Sequence, residues 1–212
     1  MKAFIFDLDG VIVSTDRLHY LAWKEMADEE GIYFDEKIND RLRGVSRMAS
    51  LEIILERATK AYSDAEKESL ATRKNETYKR SLVTLTEADR LPGVTETLAV
   101  LKEQGYKLAI GSSSKNAKSI LQRIGFEGYF DAVSDGTNIS KSKPDPEVFV
   151  KAAEMLGLAP AECFVVEDAA AGVKAGRDGG FKTVGIGEAA LSADTDHPIQ
   201  RFSELLKIAK EV

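Results

Sequence analysis

The sequence predicts an α/β protein with a Rossmann-like parallel sheet and an inserted helical domain. Three observations support this prediction. Beyond residue 92, short apolar runs typical of buried strands alternate with amphipathic helices. Residues 15–81 show helical periodicity and no strand signal. Before them, the apolar run Phe4–Phe6 leads directly into two carboxylates, as in a buried strand whose carboxyl end carries functional side chains. We therefore expect a core domain from residues 1–14 and 82–212, interrupted by a helical bundle at residues 15–81.

Length and composition limit the class of protein. The 212 residues, 43% of them hydrophobic, suffice for one large domain and a small insert. No apolar run is long enough for a membrane span, and the first strand leaves no room for a signal peptide, so we expect a soluble, cytoplasmic protein. A net charge of −6 argues against nucleic-acid binding. We expect a monomer with neither a nucleic-acid nor a membrane partner.

The first strand ends in a pair of acidic residues. Asp7 and Asp9 are one residue apart and point to the same side of the chain. At about 4 to 5 Å, two such charges repel by roughly 3 to 4 kcal/mol at an effective dielectric near 20. The pair therefore needs a cation, a shared proton or open water, and a divalent metal is the usual partner. The alternative is an ordinary turn at Asp9 and Gly10, capped by Asp7.

The inserted segment is predicted to contain three helices. Apolar residues at helical spacing predict a first helix over Asp16–Glu30. Ser46 can cap a second helix that continues to Tyr62. Ser63 and Glu66 form a capping box that opens a third.

Three polar residues on these helices are candidates for a site. His19 lies beside the apolar stripe of the first helix, where a hydrogen-bonded structural histidine is the alternative. Arg47 is in the first turn of the second helix, where a cation opposes the helix dipole unless an anion joins it. A solvated surface arginine is the alternative. Lys74 falls in the inward stripe of the third helix and needs a carboxylate or phosphate partner.

In the core, strands and helices alternate to the end of the chain. The predicted strands are Tyr106–Gly111, Phe130–Ser134, Cys163–Val166 and, as the last strand, Phe181–Ile186. The predicted helices are Val94–Leu101, Ala117–Ile124, Glu147–Leu156, Ala169–Arg177 and Phe202–Lys210, and His197 lies in a loop before the last of them. For the helix Glu147–Leu156, Asp145 is the predicted N-cap and Pro146 the first helical position. Gly172 and Gly176 permit close packing of their helix. The single cysteine, Cys163, is interpreted as a core strand residue, and a reactive thiol is the alternative.

Polar groups follow the core strands at their carboxyl ends. Ser112–Asn116 places hydroxyls and backbone N–H groups between a strand and a helix, as a phosphate cradle does, although serine-rich turns are common. Lys143 follows a loop and is held in place by Pro144 and Pro146, and a solvated loop lysine is the alternative. Glu167 and Asp168 form a second acidic pair. Because parallel strands place their carboxyl ends at one edge of the sheet, we expect these groups to converge with Asp7.

The sequence Asp7-Leu8-Asp9-Gly10-Val11, followed by Thr15 and His19, resembles the first motif of the haloacid dehalogenase superfamily, and the other three elements match its remaining motifs over essentially the whole chain. The resemblance implies phosphoryl transfer through an aspartyl phosphate. It implies Asp7 as nucleophile, Asp9 as general acid/base, and Ser112 and Lys143 as contacts to the transferring phosphoryl group. Mg²⁺ would be held by Asp7, the backbone carbonyl of Asp9, and Asp168, with Glu167 in support.

The insert also resembles that of the β-phosphoglucomutase family, which implies interconversion of β-D-glucose 1-phosphate and glucose 6-phosphate through a bisphosphate. Arg47 would bind the phosphate that is not being transferred, and His19 with Lys74 would couple cap closure to the acid/base. The substrate-binding residues implied by the resemblance are Thr15, His19, Trp23, Gly44, Arg47, Ser50, Lys74, Ser113, Ser114, Lys115 and Asn116. Sugar phosphates are the expected small-molecule partners. The alternatives are a sugar-phosphate phosphatase with the same cap and a catalytically silent binding protein.

Overall fold

The computed structural model describes residues 1–42 and 45–210. It divides into two compact units, one from residues 1–14 and 86–212 and the other from residues 15–85. The second boundary lies four residues beyond the one expected from the sequence. Within the described part of the chain, every helix is too short or too polar to cross a membrane.

The larger unit is built on a parallel sheet, as the sequence predicts. In the described residues it has six strands in the order β3-β2-β1-β4-β5-β6, and all neighbouring pairs are parallel. The strands are Ala3–Phe6 (β1), Lys107–Gly111 (β2), Ala132–Ser134 (β3), Cys163–Glu167 (β4), Lys182–Ile186 (β5) and His197–Ile199 (β6).

The helices of the smaller unit are Asp16–Glu29 (α1), Glu36–Asp40 (α2), Arg47–Leu55 (α3) and Asp64–Leu82 (α4). Those of the larger unit are Val94–Glu103 (α5), Ala117–Arg123 (α6), Glu147–Leu156 (α7), Ala170–Asp178 (α8) and Leu205–Ile208 (α9). Short 3₁₀ turns lie at Glu87–Asp89, Pro160–Glu162, Gly187–Leu191 and Phe202–Glu204.

Strand β1 lies between β2 and β4 and is buried on both faces. Ala3 and Ile5 face a core cluster that includes Phe149 of α7. On the other face, Phe4 stacks on Phe164 with ring centroids 4.9 Å apart, and Phe6 packs against Phe202. A strand with both faces covered reads as a continuous apolar run, which is the pattern that precedes Asp7.

The insertion leaves and re-enters the larger unit at paired backbone segments. Val13 and Arg90 form an antiparallel bridge, and the N–H of Leu91 donates to the carbonyl of Ile12 over 2.9 Å. The two ends of the inserted segment are therefore fixed beside each other within the core.

Helix α3 differs from its prediction because it ends at Leu55, not at Tyr62. The structure also shows α2, which the sequence analysis missed; its N-cap, Asp35, accepts from the N–H of Ile38 over 2.9 Å. The capping box of Ser63 and Glu66 at the start of α4 is confirmed.

Three predicted features of the larger unit need correction. Helix α7 spans Glu147–Leu156 as predicted, but its N-cap is Pro146 and not Asp145, although Asp145 accepts from the N–H of Glu147 over 3.0 Å. Residues 182–186 are not the last strand, because β6 follows them. The predicted C-terminal helix is a 3₁₀ turn followed by the single turn of α9.

Candidate active site

Lys143 joins two acidic residues at the carboxyl edge of the sheet. Its Nζ lies 2.5 Å from Oδ1 of Asp7, which follows β1, and 2.5 Å from Oε1 of Glu167, which ends β4. The ammonium also lies 4.7 Å from the ring centroid of Phe149. Burial alone would lower the pKa of Lys143, but the charges of Asp7 and Glu167 outweigh it and raise the pKa. The lysine therefore stays charged at all physiological pH values.

Glu167 is 1% exposed and is held from two sides. Oε2 accepts from the backbone N–H of Ala169 over 2.9 Å, while Oε1 accepts from Lys143. Burial raises the pKa of Glu167, and the positive charge of Lys143 opposes that rise. A buried carboxylate in this position is tolerable because both of its oxygens have charged or polar donors.

Asp168 completes an acidic cluster with Asp7 and Glu167. One carboxylate oxygen from each of the three lies within 4.8 Å of the others. Burial, followed by the charges of Glu167 and Asp7, raises the pKa of Asp168 to about 9. One lysine does not balance three acids, and the oxygen donors are of the hard type that Mg²⁺ and Ca²⁺ prefer. The donor set therefore fits a divalent cation. The Asp9 carboxylate is not part of this group of described residues, although its charge also acts on Asp168, and the predicted role of the Asp9 backbone carbonyl stays a prediction.

Ser112 begins the loop between β2 and α6, and serine hydroxyls of the loop accept hydrogen bonds from its own backbone. The N–H of Ser112 donates to the carbonyl of Ser134 over 3.1 Å. Its Oγ accepts from the N–H of Ser114, whose own Oγ accepts from the N–H of Asn116, each over 3.2 Å. Ser112 and Asn116 are buried, whereas Lys115 is exposed. The expected cradle is therefore held in shape by its own side chains.

The loop that carries Lys143 is attached to the same cradle. The N–H of Lys143 approaches Oγ of Ser113 at 3.5 Å, the outer limit of a hydrogen bond. The structure thus brings together Asp7, Ser112, Lys143, Glu167 and Asp168 within the larger unit, as the parallel topology predicts.

In the smaller unit, Lys74 is buried among aromatic side chains. Its Nζ lies 2.8 Å from Nδ1 of His19, 4.8 Å from the Trp23 ring centroid and 4.7 Å from that of Tyr78. The His19 ring stacks on Tyr78 at 4.0 Å. Burial, followed by the charges of Lys74 and Arg47, holds the pKa of His19 well below its usual value. His19 is therefore neutral and accepts from Lys74.

Thr15 and Trp23 take part in contacts within this unit. Thr15 is fully buried, and its Oγ1 accepts from the hydroxyl of Tyr78 over 3.0 Å. Trp23 is 3% exposed and belongs to the unit's hydrophobic core. Their predicted contacts with substrate stay predictions.

Arg47 begins α3 directly after its N-cap. Ser46 accepts from the N–H of Ala49 over 3.3 Å, as predicted for a capping serine. Arg47 is half-buried, and that burial lowers the pKa of its guanidinium. Among residues 1–42 and 45–210, no carboxylate is recorded in an ion pair with it. Ser50, one turn along the helix, is buried. Gly44, also predicted to bind substrate, lies outside the described residues.

Sequence reasoning missed three residues that shape these sites. Phe149 lies beneath Lys143. The two residues are six positions apart, and no local sequence pattern predicts their contact. Tyr78 follows Lys74 by four residues on α4, so helical spacing places the two on one face but does not predict the contact with His19. Gly10, at φ +83°, leaves room for the Asp168 side chain, since a Cβ there would lie 2.0 Å from Oδ2. Its signal was the glycine directly after the acidic pair.

Comparison with known proteins identifies the family. Residues 1–180 match the family model described as haloacid dehalogenase-like hydrolase. The chain belongs to this family. It is 44% identical to a β-phosphoglucomutase of Bacillus subtilis, over 97% of this chain and 92% of the relative.

Both β-phosphoglucomutases and phosphatases of the family resemble this chain. The crystal structure of a β-phosphoglucomutase from Clostridium difficile has a TM-score of 0.92 and 36% identity, covering 100% of this chain and 96% of that one. A phosphorylated carbohydrates phosphatase of Thermotoga maritima is 31% identical over 100% of both chains. The haloacid dehalogenase-like fold and an enzymatic role are therefore established.

Proposed function

We propose that the protein is a β-phosphoglucomutase that interconverts β-D-glucose 1-phosphate and glucose 6-phosphate through β-glucose 1,6-bisphosphate. The observation that carries this proposal is its similarity to named β-phosphoglucomutases across nearly the whole chain, which includes the inserted unit. Both this similarity and that to the Thermotoga maritima phosphatase extend through the insert, but the identity to the Bacillus subtilis mutase is 44% and that to the phosphatase is 31%.

Asp7 is the proposed nucleophile. Its Oδ1 faces Lys143, so one oxygen is held by an ammonium while the other can attack the phosphorus of a bound phosphate ester. Attack forms an O–P bond to Asp7 and breaks the bond to the sugar oxygen. Asp9, two residues along, is the proposed acid that gives this leaving oxygen a proton and later takes one from the attacking hydroxyl.

Lys143 and Ser112 would contact the oxygens of the transferring phosphoryl group, where catalysis consists mainly of positioning and charge stabilisation. Mg²⁺ is the proposed cofactor, held by Asp7, Asp9 and Asp168 with Glu167 in support. When bound, it would neutralise the negative charges of the phosphoryl group and the acidic cluster. The crowding of three carboxylates within 4.8 Å supports this assignment.

The smaller unit supplies the proposed second anion contact. A mutase must bind a bisphosphate in two orientations, so it needs a cation for the phosphate that is not reacting. Arg47 suits that role because it is half-buried, at a helix N-terminus, and recorded in no ion pair with the described residues. A helix N-terminus and a guanidinium both favour a phosphate. Ser114, Lys115 and Asn116 are proposed to assist in binding.

A sugar-phosphate phosphatase is the second candidate, favoured by the similarity to the Thermotoga maritima phosphatase. The two functions differ in their products. We would incubate the enzyme with β-glucose 1-phosphate and Mg²⁺, with and without a catalytic amount of β-glucose 1,6-bisphosphate, and measure glucose 6-phosphate and free phosphate.

A mutase forms glucose 6-phosphate at a rate that rises with the bisphosphate, with little free phosphate. Stoichiometric phosphate release that is independent of the bisphosphate would instead establish the phosphatase. Asp7→Asn is the matched control, since it removes the nucleophile with almost no change in size and should abolish both reactions.

A further inference from the structure

Glu167 occupies a space that exists because Gly172 has no side chain. A Cβ on Gly172 would lie 1.9 Å from both Cδ and Oε1 of Glu167, far closer than any carbon can approach. Gly172 is the third residue of α8 and has ordinary helical geometry, so its backbone conformation does not require glycine. Glycine is disfavoured inside a helix relative to alanine. Its presence here therefore has another reason, and the carboxylate of Glu167 supplies it.

The position of Glu167 determines the position of Lys143. Oε2 is fixed by the N–H of Ala169 at 2.9 Å, which leaves Oε1 directed at the lysine. Nζ of Lys143 lies 2.5 Å from that oxygen and 2.5 Å from Oδ1 of Asp7. Both Lys143 and Glu167 are buried, so neither contact is exchanged freely for water. A displacement of the Glu167 carboxylate would therefore disturb one of the two acids that fix the position of the ammonium.

We propose that Gly172 is a positioning residue for the reaction at Asp7: by leaving room for the Glu167 carboxylate, it places Lys143 against the nucleophile. The inference rests on the proposed phosphoryl transfer to Asp7, but it does not depend on which sugar phosphate is the substrate. Gly172 itself touches neither the nucleophile nor the phosphoryl group and acts only through Glu167.

Helix α8 offers a matched control in Gly176, one turn further along. A Cβ on Gly176 would lie 3.0 Å from Cγ2 of Thr183 and 3.1 Å from Cγ1 of Val165, both methyl groups of the core. Gly172→Ala and Gly176→Ala make the same chemical change in the same helix, so their effects on helix propensity are equal. Only the Cβ added at residue 172 contacts a residue of the acidic cluster.

The test measures p-nitrophenyl phosphate hydrolysis, sugar-phosphate isomerisation and thermal unfolding of both variants. We expect Gly172→Ala to lower kcat at least about tenfold, because a displacement near 1 Å in a catalytic group has effects of that size or larger. Gly176→Ala should stay within about twofold of the wild type. A Gly172→Ala enzyme with wild-type kcat would overturn the proposal.

Rescue distinguishes positioning from a general structural role. Glu167→Asp shortens the acid by one methylene and makes room for the new Cβ. The double variant Gly172→Ala/Glu167→Asp should therefore exceed Gly172→Ala in turnover, even though Glu167→Asp alone lowers it. If the double variant is no better than Gly172→Ala, or neither folds while Gly176→Ala does, the proposal is wrong.

A crystal structure of Gly172→Ala provides a readout that is independent of activity. We expect Nζ of Lys143 to lie at least about 1 Å further from Asp7 than in a wild-type crystal, and an unchanged distance would contradict the proposal. The design separates the two inferences. A wild type that hydrolyses p-nitrophenyl phosphate but does not isomerise β-glucose 1-phosphate refutes the mutase while leaving Gly172 fully testable.

Discussion

At the scale of single residues, the core site depends on a lysine that is shared between two acids. Lys143 is 7% exposed and contacts Asp7, Glu167 and the Phe149 ring. A buried charge is stable only when its partners remain in place, and loss of one partner leaves the others uncompensated. The lysine is therefore both an electrostatic group of the site and a structural link between the ends of β1 and β4.

The proposed contact of Arg47 with the second phosphate can be tested by substitution. Arg47→Ala should lower kcat/KM for isomerisation by about a hundredfold, because a charge-assisted contact to a phosphate is worth roughly 1.5 to 3 kcal/mol. Hydrolysis of p-nitrophenyl phosphate should be nearly unchanged, since that ester has no second phosphate. Parallel kinetics with the two substrates make the measurement.

Arg80→Ala is the control for this prediction. Arg80 lies on α4 of the same unit with a side chain 70% exposed, and its removal changes the net charge equally. Equal losses in the two variants would show that general electrostatic attraction, and not a specific contact, explains the effect of Arg47.

The neutral state of His19 makes stability depend on pH. In the folded protein, burial and then the charges of Lys74 and Arg47 keep the pKa of His19 below 6.5. The unfolded chain therefore binds a proton that the folded protein does not, and the free energy of unfolding should fall as pH decreases from 6.5 towards the lowered pKa. Lys74→Met should move the pKa of His19 upward and weaken this dependence.

NMR titration of His19, assigned with His19→Gln, measures the pKa directly. Lys79→Met is the matched control, because Lys79 lies on the same helix but is exposed and pairs with Glu76. A His19 pKa that responds equally to both substitutions would remove the assigned role of Lys74.

At the scale of elements, Glu147 fixes the loop that carries Lys143 to the start of α7. Its carboxylate accepts from the N–H groups of Ser140 and Lys141 and from the Ser140 hydroxyl, and it pairs with Lys151 at 3.0 Å. These contacts stabilise the ionised form, with the Ser140 backbone contact the largest, and lower the pKa of Glu147 to about 2.

The lowered pKa predicts how acid affects stability. Because the folded pKa lies below that of the unfolded chain, the contribution of Glu147 is complete above pH 4.5 and is lost as pH falls towards about 2. Glu147→Gln should be less stable than wild type at pH 7, and the difference should shrink in that acid range. Denaturant titrations at several pH values measure it.

Glu154→Gln, an exposed position on the same helix, should leave both the stability and its pH profile unchanged. If the difference between Glu147→Gln and wild type is constant from pH 7 to pH 2, the carboxylate contacts do not stabilise the loop.

Elements differed in how far the sequence could predict them. Strand β1 and the capping box of α4 have strong local signals, an apolar run and a Ser-x-x-Glu pattern, and both formed as predicted. Strand β6 has three residues and contains Pro198, which normally argues against a strand. It forms because an edge strand needs hydrogen bonds on one side only. That information lies in the tertiary context and not in the segment itself.

At the scale of the whole molecule, the acidic cluster predicts that a divalent cation stabilises the folded protein. A cation that binds only the folded state stabilises it by about 2.7 kcal/mol at one hundred times its Kd. For a chain of this length, that corresponds to a rise in Tm of roughly 5 to 10 °C. Adding Mg²⁺ to metal-free protein should produce such a rise, measured by thermal unfolding at constant ionic strength.

Asp168→Asn should show little of this rise. Without metal, its Tm should equal or exceed that of the wild type, because the substitution removes one of three crowded acids. A full Mg²⁺ response in Asp168→Asn would place the metal elsewhere.

The candidate site could be predicted in outline because topology determines it. Parallel strands bring their carboxyl ends together, so Asp7, Lys143 and Asp168 could be grouped before any contact was known. The contact of Glu167 with Gly172 and that of Lys143 with the Phe149 ring could not be predicted, since both depend on how side chains pack between elements. The roles assigned by family resemblance to Arg47 and His19 remain predictions for the experiments above.

The bridge between Val13 and Arg90 has a consequence for engineering. The backbone segments before and after the insertion are hydrogen-bonded to each other. Replacing residues 15–85 with a short turn should therefore cost little loop-closure entropy. The sheet could then accept a transplanted domain from another member of the family. Under the proposed function, such an exchange would replace Arg47 and leave Asp7 in place.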